Sequence, residues 1–311
     1  MSGPAPDSGL GQVVASGSAS GSIYDLGYRR YEGRRLGRRH AVASLIRESF
    51  RQAFGLGRPG RAKIIPMGLL ALAIVPAVIA LGVAALARQV GGGELGDISP
   101  IRYSSYYSYV AQLVALFAAA QAPELLGRDL RFRVLALYFA RALRREDYAL
   151  AKAISFALAI LVLLLVPQAL IFVGRALVSP DIPASLEQDL PELAPVVAQS
   201  LLTAGLLTSI GLAIAAFTPR RAFATIGIIA VWLVPPIVVE TAAVIAGEDL
   251  AGPLTLVSPV DILIGANAYF FGLPHTEITG SVPLWAYPIA GILMTLACLG
   301  ILVGRYRRIE P

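Results

Sequence analysis

The feature that most constrains this chain is a series of six apolar runs, each about 20 residues long or longer. A helix of that length, rising 1.5 Å per residue, crosses about 30 Å of hydrocarbon. Helices satisfy their own backbone hydrogen bonds in lipid, where no water is available to do so. The sequence therefore predicts an all-α integral membrane protein with six transmembrane helices. The runs cover residues 64–87, 103–122, 149–177, 195–217, 222–246 and 282–303.

The basic residues are distributed unevenly between the two sides of these runs. With the amino terminus inside, 23 of the 26 Lys and Arg residues fall on one face, which leaves Arg88, Arg102 and Arg175 on the other. Because loops rich in Lys and Arg stay in the cytoplasm, the pattern predicts a multi-pass plasma-membrane protein with both termini cytoplasmic. The net charge of +6 is explained by this asymmetry, and no nucleic-acid partner is expected.

Composition divides the chain into four regions. The first is rich in Gly, Ser, Ala and Pro, which predicts a disordered tail. A basic cytoplasmic segment, the six-helix transmembrane domain and a short basic tail follow. Their bounds are 1–22, 23–63, 64–304 and 305–311.

An amphipathic helix is predicted within the basic segment, just before the first apolar run. Apolar side chains recur there at helical spacing, at Val42, Leu45, Ile46, Phe50 and Phe54. Such a helix is expected to lie in the inner membrane interface. The arginines that precede it are explained either by attraction to anionic lipids or by contact with a cytoplasmic partner.

The segment 124–148, between the second and third runs, carries the most distinctive chemistry. A plain connector needs only a few polar turn residues, yet this segment holds many charges of both signs. It therefore has the character of a docking surface for a cytoplasmic protein. Its apolar face is interrupted near residues 140–142, which predicts a break between two short helices. The candidate docking residues are Glu124, Arg128, Asp129, Arg131, Leu137, Arg141, Arg144, Arg145 and Asp147.

The fifth and sixth runs are separated by about 35 residues. The outer-leaflet helices are predicted within 252–274, and the mostly apolar stretch there is 259–273. This stretch is too short to cross the membrane. A crossing there would also move the basic carboxyl-terminal tail to the outside, against the charge rule. Short re-entrant helices in the outer leaflet, packed over the mouth of the bundle, are therefore expected.

Few polar side chains lie within or near the predicted spans, and each has two interpretations. The amides of Gln112, Gln121 and Gln168 either bond across helices or line a cavity. Glu240 is either an interfacial residue or part of a transport pathway. The tyrosines at the start of the second span form either an aromatic belt or a substrate-facing patch. The candidate pathway or gate residues are Tyr107, Gln112, Gln168 and Glu240.

Signatures of catalysis, nucleotide binding and metal binding are absent from the sequence. There is no phosphate-binding loop of the form G-x-x-x-x-G-K-[ST], no zinc-protease motif and no G-x-S-x-G elbow. Cys298 is the single cysteine, and the two histidines fall on opposite faces of the membrane. No catalytic residue, metal ligand or bound cofactor is expected, so translocation or a scaffold role is favoured over an enzyme.

Three strings in the cytoplasmic regions resemble the permease subunits of ABC-2 type transporters, and in particular an actinobacterial branch of that family. They are YDLGYRRYEG at 24–33, APELLGRDLRFR at 122–133 and LRREDYALAK at 143–152. The predicted order of elements is also similar to that family: an interfacial helix, a cytoplasmic helix between spans 2 and 3, and short outer helices before span 6.

The resemblance implies a non-catalytic subunit that pairs with a second permease copy or paralogue and binds separate ABC ATPase subunits, which hold the ATP. Segment 124–148 would then be the coupling helix, and export of a lipid-like or amphipathic compound would be the activity. An autonomous channel or secondary transporter is the alternative, although that class usually shows internal repeats or charged mid-membrane helices. A membrane-bound enzyme is the third possibility.

Overall fold

The computed structural model describes residues 36–91, 102–131, 143–218, 220–275 and 282–308, together with Gly33, Leu135 and Tyr138. The predictions for the tail at 1–22, for the basic residues that precede Leu36 and for the break near residues 140–142 lie outside these residues. From Leu36 onward the chain packs as one unit.

The regular structure of the described residues is entirely helical. Among these residues, six helical stretches are long and apolar enough to cross a membrane: Arg61–Ala87, Tyr103–Leu130, Arg145–Val178, Ile182–Phe217, Arg221–Ile245 and Ala286–Arg307. The prediction of an all-α, multi-pass membrane protein with six such helices is therefore confirmed. In chain order the helices are α1 (Arg38–Ala53), α2 (Arg61–Gly91), α3 (Tyr103–Arg131), α4 (Arg145–Val178), α5 (Ile182–Asp189), α6 (Leu193–Phe217), α7 (Arg221–Ala246), α8 (Glu248–Thr255), α9 (Pro259–Phe271) and α10 (Ala286–Arg307).

Helices α3 and α6 form the centre of the bundle. In their apolar windows 67% and 78% of residues are buried, against 22% in α7 and in α10. Small residues allow this close approach, since a Cβ added at Gly211 of α6 would lie 3.2 Å from the Cβ of Ala122 on α3. The outer helices α2, α7 and α10 consequently present broad apolar faces to their surroundings.

Helix α1 packs against the bundle by its apolar side. Leu45 and Phe54 are buried, and the ring centroid of Phe54 lies 5.8 Å from that of Phe117 on α3. Gly55 turns the chain toward α2 with a φ of 68°. A Cβ on Gly55 would lie 2.5 Å from the carbonyl oxygen of Ala62, so only glycine suits this turn. The position of α1 in the membrane interface stays a prediction.

Two short helices, α8 and α9, occupy the gap between the fifth and sixth spans. Ser258 caps α9 by accepting a hydrogen bond from the backbone N–H of Asp261 at 3.4 Å, and Gly272 ends the helix with a φ of 62°. Helix α9 packs on α10, where Gly265 lies flat against the ring of Tyr287. It also contacts α6, α7 and α3, so it covers part of the bundle. Its depth in the membrane stays a prediction.

The contact of α9 with α10 predicts a specific sensitivity at Gly265. The added methyl group of Gly265→Ala would overlap the ring of Tyr287, and we expect it to lower the free energy of unfolding by about 1–3 kcal/mol. Thermal unfolding of the protein in detergent measures this loss. Gly300→Ala is the control, because no atom lies within 4 Å of a Cβ added there. Equal melting temperatures for the two variants would contradict the close packing.

Candidate functional site

Four acidic side chains near the end of α3 and the start of α4 each contact basic side chains from other parts of the chain. We call this set the charged layer. It comprises Glu124, Asp129, Glu146 and Asp147, with Arg38, Arg58, Arg128, Lys152, Arg221 and Arg307. Its members come from α1, the turn between α1 and α2, α3, α4, α7 and α10. The layer therefore joins six parts of the chain at one end of the bundle, the predicted cytoplasmic end.

Glu124 is the centre of the first cluster in the charged layer. Its Oε1 lies 2.8 Å from Nη1 of Arg58 and 3.6 Å from Nη1 of Arg128, and its Oε2 lies 3.2 Å from Nη1 of Arg221. Burial and the nearby charge of Arg128 lower the pKa of Arg58. The Glu124 carboxylate acts in the opposite direction and raises the pKa of Arg58. Its ion pairs with Arg58 and Arg221 link the α1–α2 turn and the start of α7 to α3.

The second cluster is formed by Asp129, Tyr148 and Lys152. Lys152 is only 1% exposed, and its Nζ lies 2.9 Å from Oδ2 of Asp129. The same ammonium donates a hydrogen bond to the carbonyl oxygen of Leu125 at 3.2 Å. The hydroxyl of Tyr148 donates to Asp129 at 2.6 Å, and its ring packs against Tyr306 of α10 at 5.3 Å. A buried lysine needs such partners, because an unpaired charge away from water is strongly unfavourable.

The third cluster lies at the start of α4. The guanidinium group of Arg38 on α1 donates two hydrogen bonds to the carboxylate of Asp147, of 2.6 and 2.5 Å. Asp147 also accepts a hydrogen bond from the backbone N–H of Arg144 at 3.0 Å, which caps the helix. Beside it, Glu146 lies 2.9 Å from Nε of Arg307 near the end of α10. The start of α4 is thereby held to both terminal helices of the described chain.

The predicted docking residues are distributed unevenly in this layer. The carboxylates of Glu124, Asp129 and Asp147 all contact basic groups of the same chain. The Arg128 side chain is 48% exposed and Arg144 is exposed, whereas Arg145 donates a hydrogen bond to the carbonyl oxygen of Arg307 at 3.1 Å. The side chain of Arg131, and all of Leu137 and Arg141, lie outside the described residues. The docking role of the whole set stays a prediction.

Several members of the charged layer were not among the sequence candidates: Arg38, Arg58, Glu146, Lys152, Arg221 and Arg307. A signal for Lys152 was present, because a lysine at the edge of a long apolar run needs a buried counter-charge. No periodicity identified its partner, since Asp129 belongs to a different helix. In the sequence, Arg38 falls in the stretch expected to contact lipids or a cytoplasmic partner, and Arg221 counts only toward the positive charge of the inner face.

The predicted pathway residues Tyr107 and Gln112 lie close together on α3, where both make interhelical hydrogen bonds. The hydroxyl of Tyr107 donates to the carbonyl oxygen of Val196 at 2.7 Å and lies 2.8 Å from Oγ of Ser200. Nε1 of Trp232 on α7 donates to Oε1 of Gln112 at 2.9 Å. These contacts join α3 to α6 and α7.

The other two predicted pathway residues belong to other helices, and the Gln168 side chain lies beside the Tyr107 hydroxyl. Gln168 of α4 is buried and donates a hydrogen bond to the carbonyl oxygen of Tyr103 at 3.3 Å. Glu240 is exposed on α7. Burial raises the pKa of Asp261 on α9, and the charge of Glu240 adds to that increase. Tyr107 and Gln112 line one cavity between α3, α6, α7 and α9, and neither Gln168 nor Glu240 lines it.

Two comparisons with known proteins found no match for this chain. No family model matches the sequence, and no curated protein matches it. Within the part of the chain that the structure describes, no three His, Cys, Asp or Glu side chains converge as a metal site requires.

The burial of Lys152 predicts a large effect of its removal. Lys152→Met would leave Asp129 without its ammonium partner, and we expect a loss of about 3 kcal/mol in the free energy of unfolding. Adding Asp129→Asn should recover part of that loss, because the unpaired charge is then removed as well. Denaturant unfolding in detergent measures each value.

Arg307→Met is the matched control for Lys152→Met. Its ion pair with Glu146 is exposed, with the two side chains 62% and 46% accessible, so less than about 1 kcal/mol should be lost. Similar losses for the two single variants would show that the Lys152–Asp129 pair does not stabilise the fold more than a surface pair.

Proposed function

We propose that this chain is the transmembrane permease subunit of an ABC-2 type transporter, an exporter of a lipid-like or amphipathic compound in the plasma membrane. Separate ABC ATPase subunits would dock on segment 124–148 and supply the energy. The observation that carries the proposal is the charged layer, which fastens both flanks of this segment to the helices of the bundle. The resemblance of segments 122–133 and 143–152 to that family supports the same function.

The charged layer gives a docked motor a direct mechanical connection to the spans. A displacement at the end of α3 acts through Glu124 on the α1–α2 turn and on the start of α7. A displacement at the start of α4 acts through Asp147 on α1 and through Glu146 on α10. ATP-driven closure of the motor would then favour one permease state, because its contacts with the segment differ between the two states.

The outer surface of the bundle suits a subunit that works beside a second permease. Helix α7 exposes a long row of large apolar side chains: Phe223, Ile226, Leu233, Val234, Ile237 and Val238. Lipid or an equally apolar helix of a second copy or paralogue would cover such a face. The start of α1 and the end of α10 meet at the same charged end of the bundle. This arrangement agrees with two cytoplasmic termini.

An autonomous channel or secondary transporter is less well supported. Transporters driven by ions or protons usually place charged residues at mid-membrane sites. In the described part of this chain, the ion pairs gather at the charged end, apart from the Arg175–Asp189 pair, which links α4 to α5 near the opposite end. Among the described residues, no charged side chain lines the cavity between α3, α6, α7 and α9.

The first test is whether the chain holds an ATPase. We expect a tagged chain, extracted in mild detergent from its own cells, to retain a soluble protein that carries a phosphate-binding loop and hydrolyses ATP. In parallel, Arg141→Cys in a Cys298→Ser background should react with a membrane-impermeant reagent only from the cytoplasmic side. Labelling of that position from outside, or unaided solute movement by the purified chain in liposomes, would contradict the proposal.

The second test distinguishes apolar from charged contributions to docking. An exposed ion pair contributes about 0–1 kcal/mol, whereas a buried leucine contributes about 1.5–3 kcal/mol. Leu137→Asp should therefore weaken ATPase binding by about tenfold or more, and Arg131→Ala by less than about fivefold. Co-purification and coupled ATP hydrolysis measure both variants. Equal effects would show that the apolar face of the segment does not dominate the contact.

A further inference from the structure

The cavity between α3, α6, α7 and α9 has a volume of about 230 Å³. Its deeper wall is buried and includes Gln199 and Thr203 of α6 and Val114 of α3. At its rim, Ser108 and Ile264 are exposed. The cavity is therefore a half-open recess that reaches from the surface of the bundle to buried amide groups.

Two amide oxygens in the lining are buried and have no hydrogen-bond partner. Gln199 is 1% exposed, and its Nε2 donates to the carbonyl oxygen of Leu263 at 3.0 Å. That bond fixes the amide and leaves Oε1 unpaired. Asn267 repeats the arrangement, because its Nδ2 donates to the carbonyl oxygen of Ser104 at 3.2 Å and its Oδ1 is unpaired. Buried acceptors without a donor are unfavourable, so these oxygens indicate a missing donor.

Three neighbouring donors in the lining already make hydrogen bonds of their own. The Tyr107 hydroxyl donates to a backbone carbonyl of α6, and the Thr203 hydroxyl donates to the carbonyl oxygen of Gln199 at 2.8 Å. The indole N–H of Trp232 is bonded to Gln112. A ligand group with its own O–H or N–H donors would therefore satisfy these oxygens without breaking those bonds.

Size and charge restrict the ligand further. At about 30 Å³ per water, the cavity has room for about seven waters, or for one ring-sized group. A cationic donor would lack a counter-charge there, because the described lining contains no acidic side chain. The rings of Tyr107 and Trp232 and the side chains of Val114 and Leu164 provide apolar contact for the body of the ligand.

From these features we propose that the cavity binds a small, neutral group that carries hydroxyl or amide N–H donors on an apolar or aromatic body. Gln199 and Asn267 would accept the hydrogen bonds. The exposed rim would let such a polar head enter while an attached apolar tail stays in lipid. Binding of a ligand in the cavity does not require an ATPase subunit. The identification of that ligand as the head of the transported compound depends on the proposed function.

Trp232 makes the proposal directly measurable. The chain has two tryptophans, so Trp285→Phe leaves Trp232 in the cavity lining as the single fluorophore. Titration of this purified variant with phenol, a neutral ring with one O–H donor, should change its emission in a saturable way. Anisole has the same ring without the donor, and it should bind about 3- to 10-fold more weakly.

Paired glutamine variants test the role of the amide oxygen in the same background. Gln199→Met keeps a similar volume, removes the acceptor and should weaken phenol binding about 3- to 10-fold. Gln121→Met is the matched control, because Gln121 is also a buried glutamine but does not line the cavity. It should leave phenol binding unchanged. If Gln199→Met does not fold, Asn267→Leu removes the second acceptor and gives the same test.

Three results would overturn the proposal: a response that does not saturate, equal affinity for phenol and anisole, or an equal loss in the Gln121→Met control. The first two would mean that aromatic compounds only partition into the apolar parts of the protein. The titration uses the isolated chain without ATP. Failure to capture an ATPase would therefore count against the proposed transporter function and leave this site unaffected. Failure of the phenol titration would count against this site and leave the proposed transporter function unaffected.

Discussion

The buried ion pair between Lys152 and Asp129 is the interaction on which the charged end of this protein depends. It fastens α4 to α3 at the point where both helices reach that end of the bundle, and Tyr148 and Tyr306 extend the contact to α10. Removing a single partner leaves an uncompensated charge away from water, which is why such pairs are intolerant of change. The flanks of the charged segment therefore have a fixed position relative to three spans.

Polar groups follow different rules at the ends and in the interior of the bundle. The described ion pairs lie near helix ends, whereas the interior uses neutral bonds such as those of Tyr107, Gln168 and Trp232. Lipid supplies no donors or acceptors, so an interior polar group must find its partner within the protein. Several buried oxygens depart from this rule, among them those of Gln168, Gln199 and Asn267, and the last two lie at the wall of one cavity.

Sequence patterns predicted the spans well, because the length of an apolar run directly reflects membrane thickness. The run at 222–246, for example, became α7 with nearly the same bounds. Contacts between distant segments were not predictable, because hydrophobic periodicity describes one helix at a time. The pairing of Lys152 with Asp129, the fit of Gly265 against Tyr287 and the assembly of one cavity from five helices all depend on how the helices pack.

The charged layer also determines what its surface offers to a partner. The carboxylates of Glu124, Asp129 and Asp147 are occupied within the chain, whereas Arg128 and Arg144 remain accessible at the flanks of segment 124–148. The ion pairs within the chain thus engage these carboxylates, and the exposed arginines leave a net positive charge on the surface of this end of the bundle. In the proposed transporter, an ATPase groove that receives this segment is therefore expected to be acidic around an apolar floor, since the arginines would steer association and the apolar face would supply affinity.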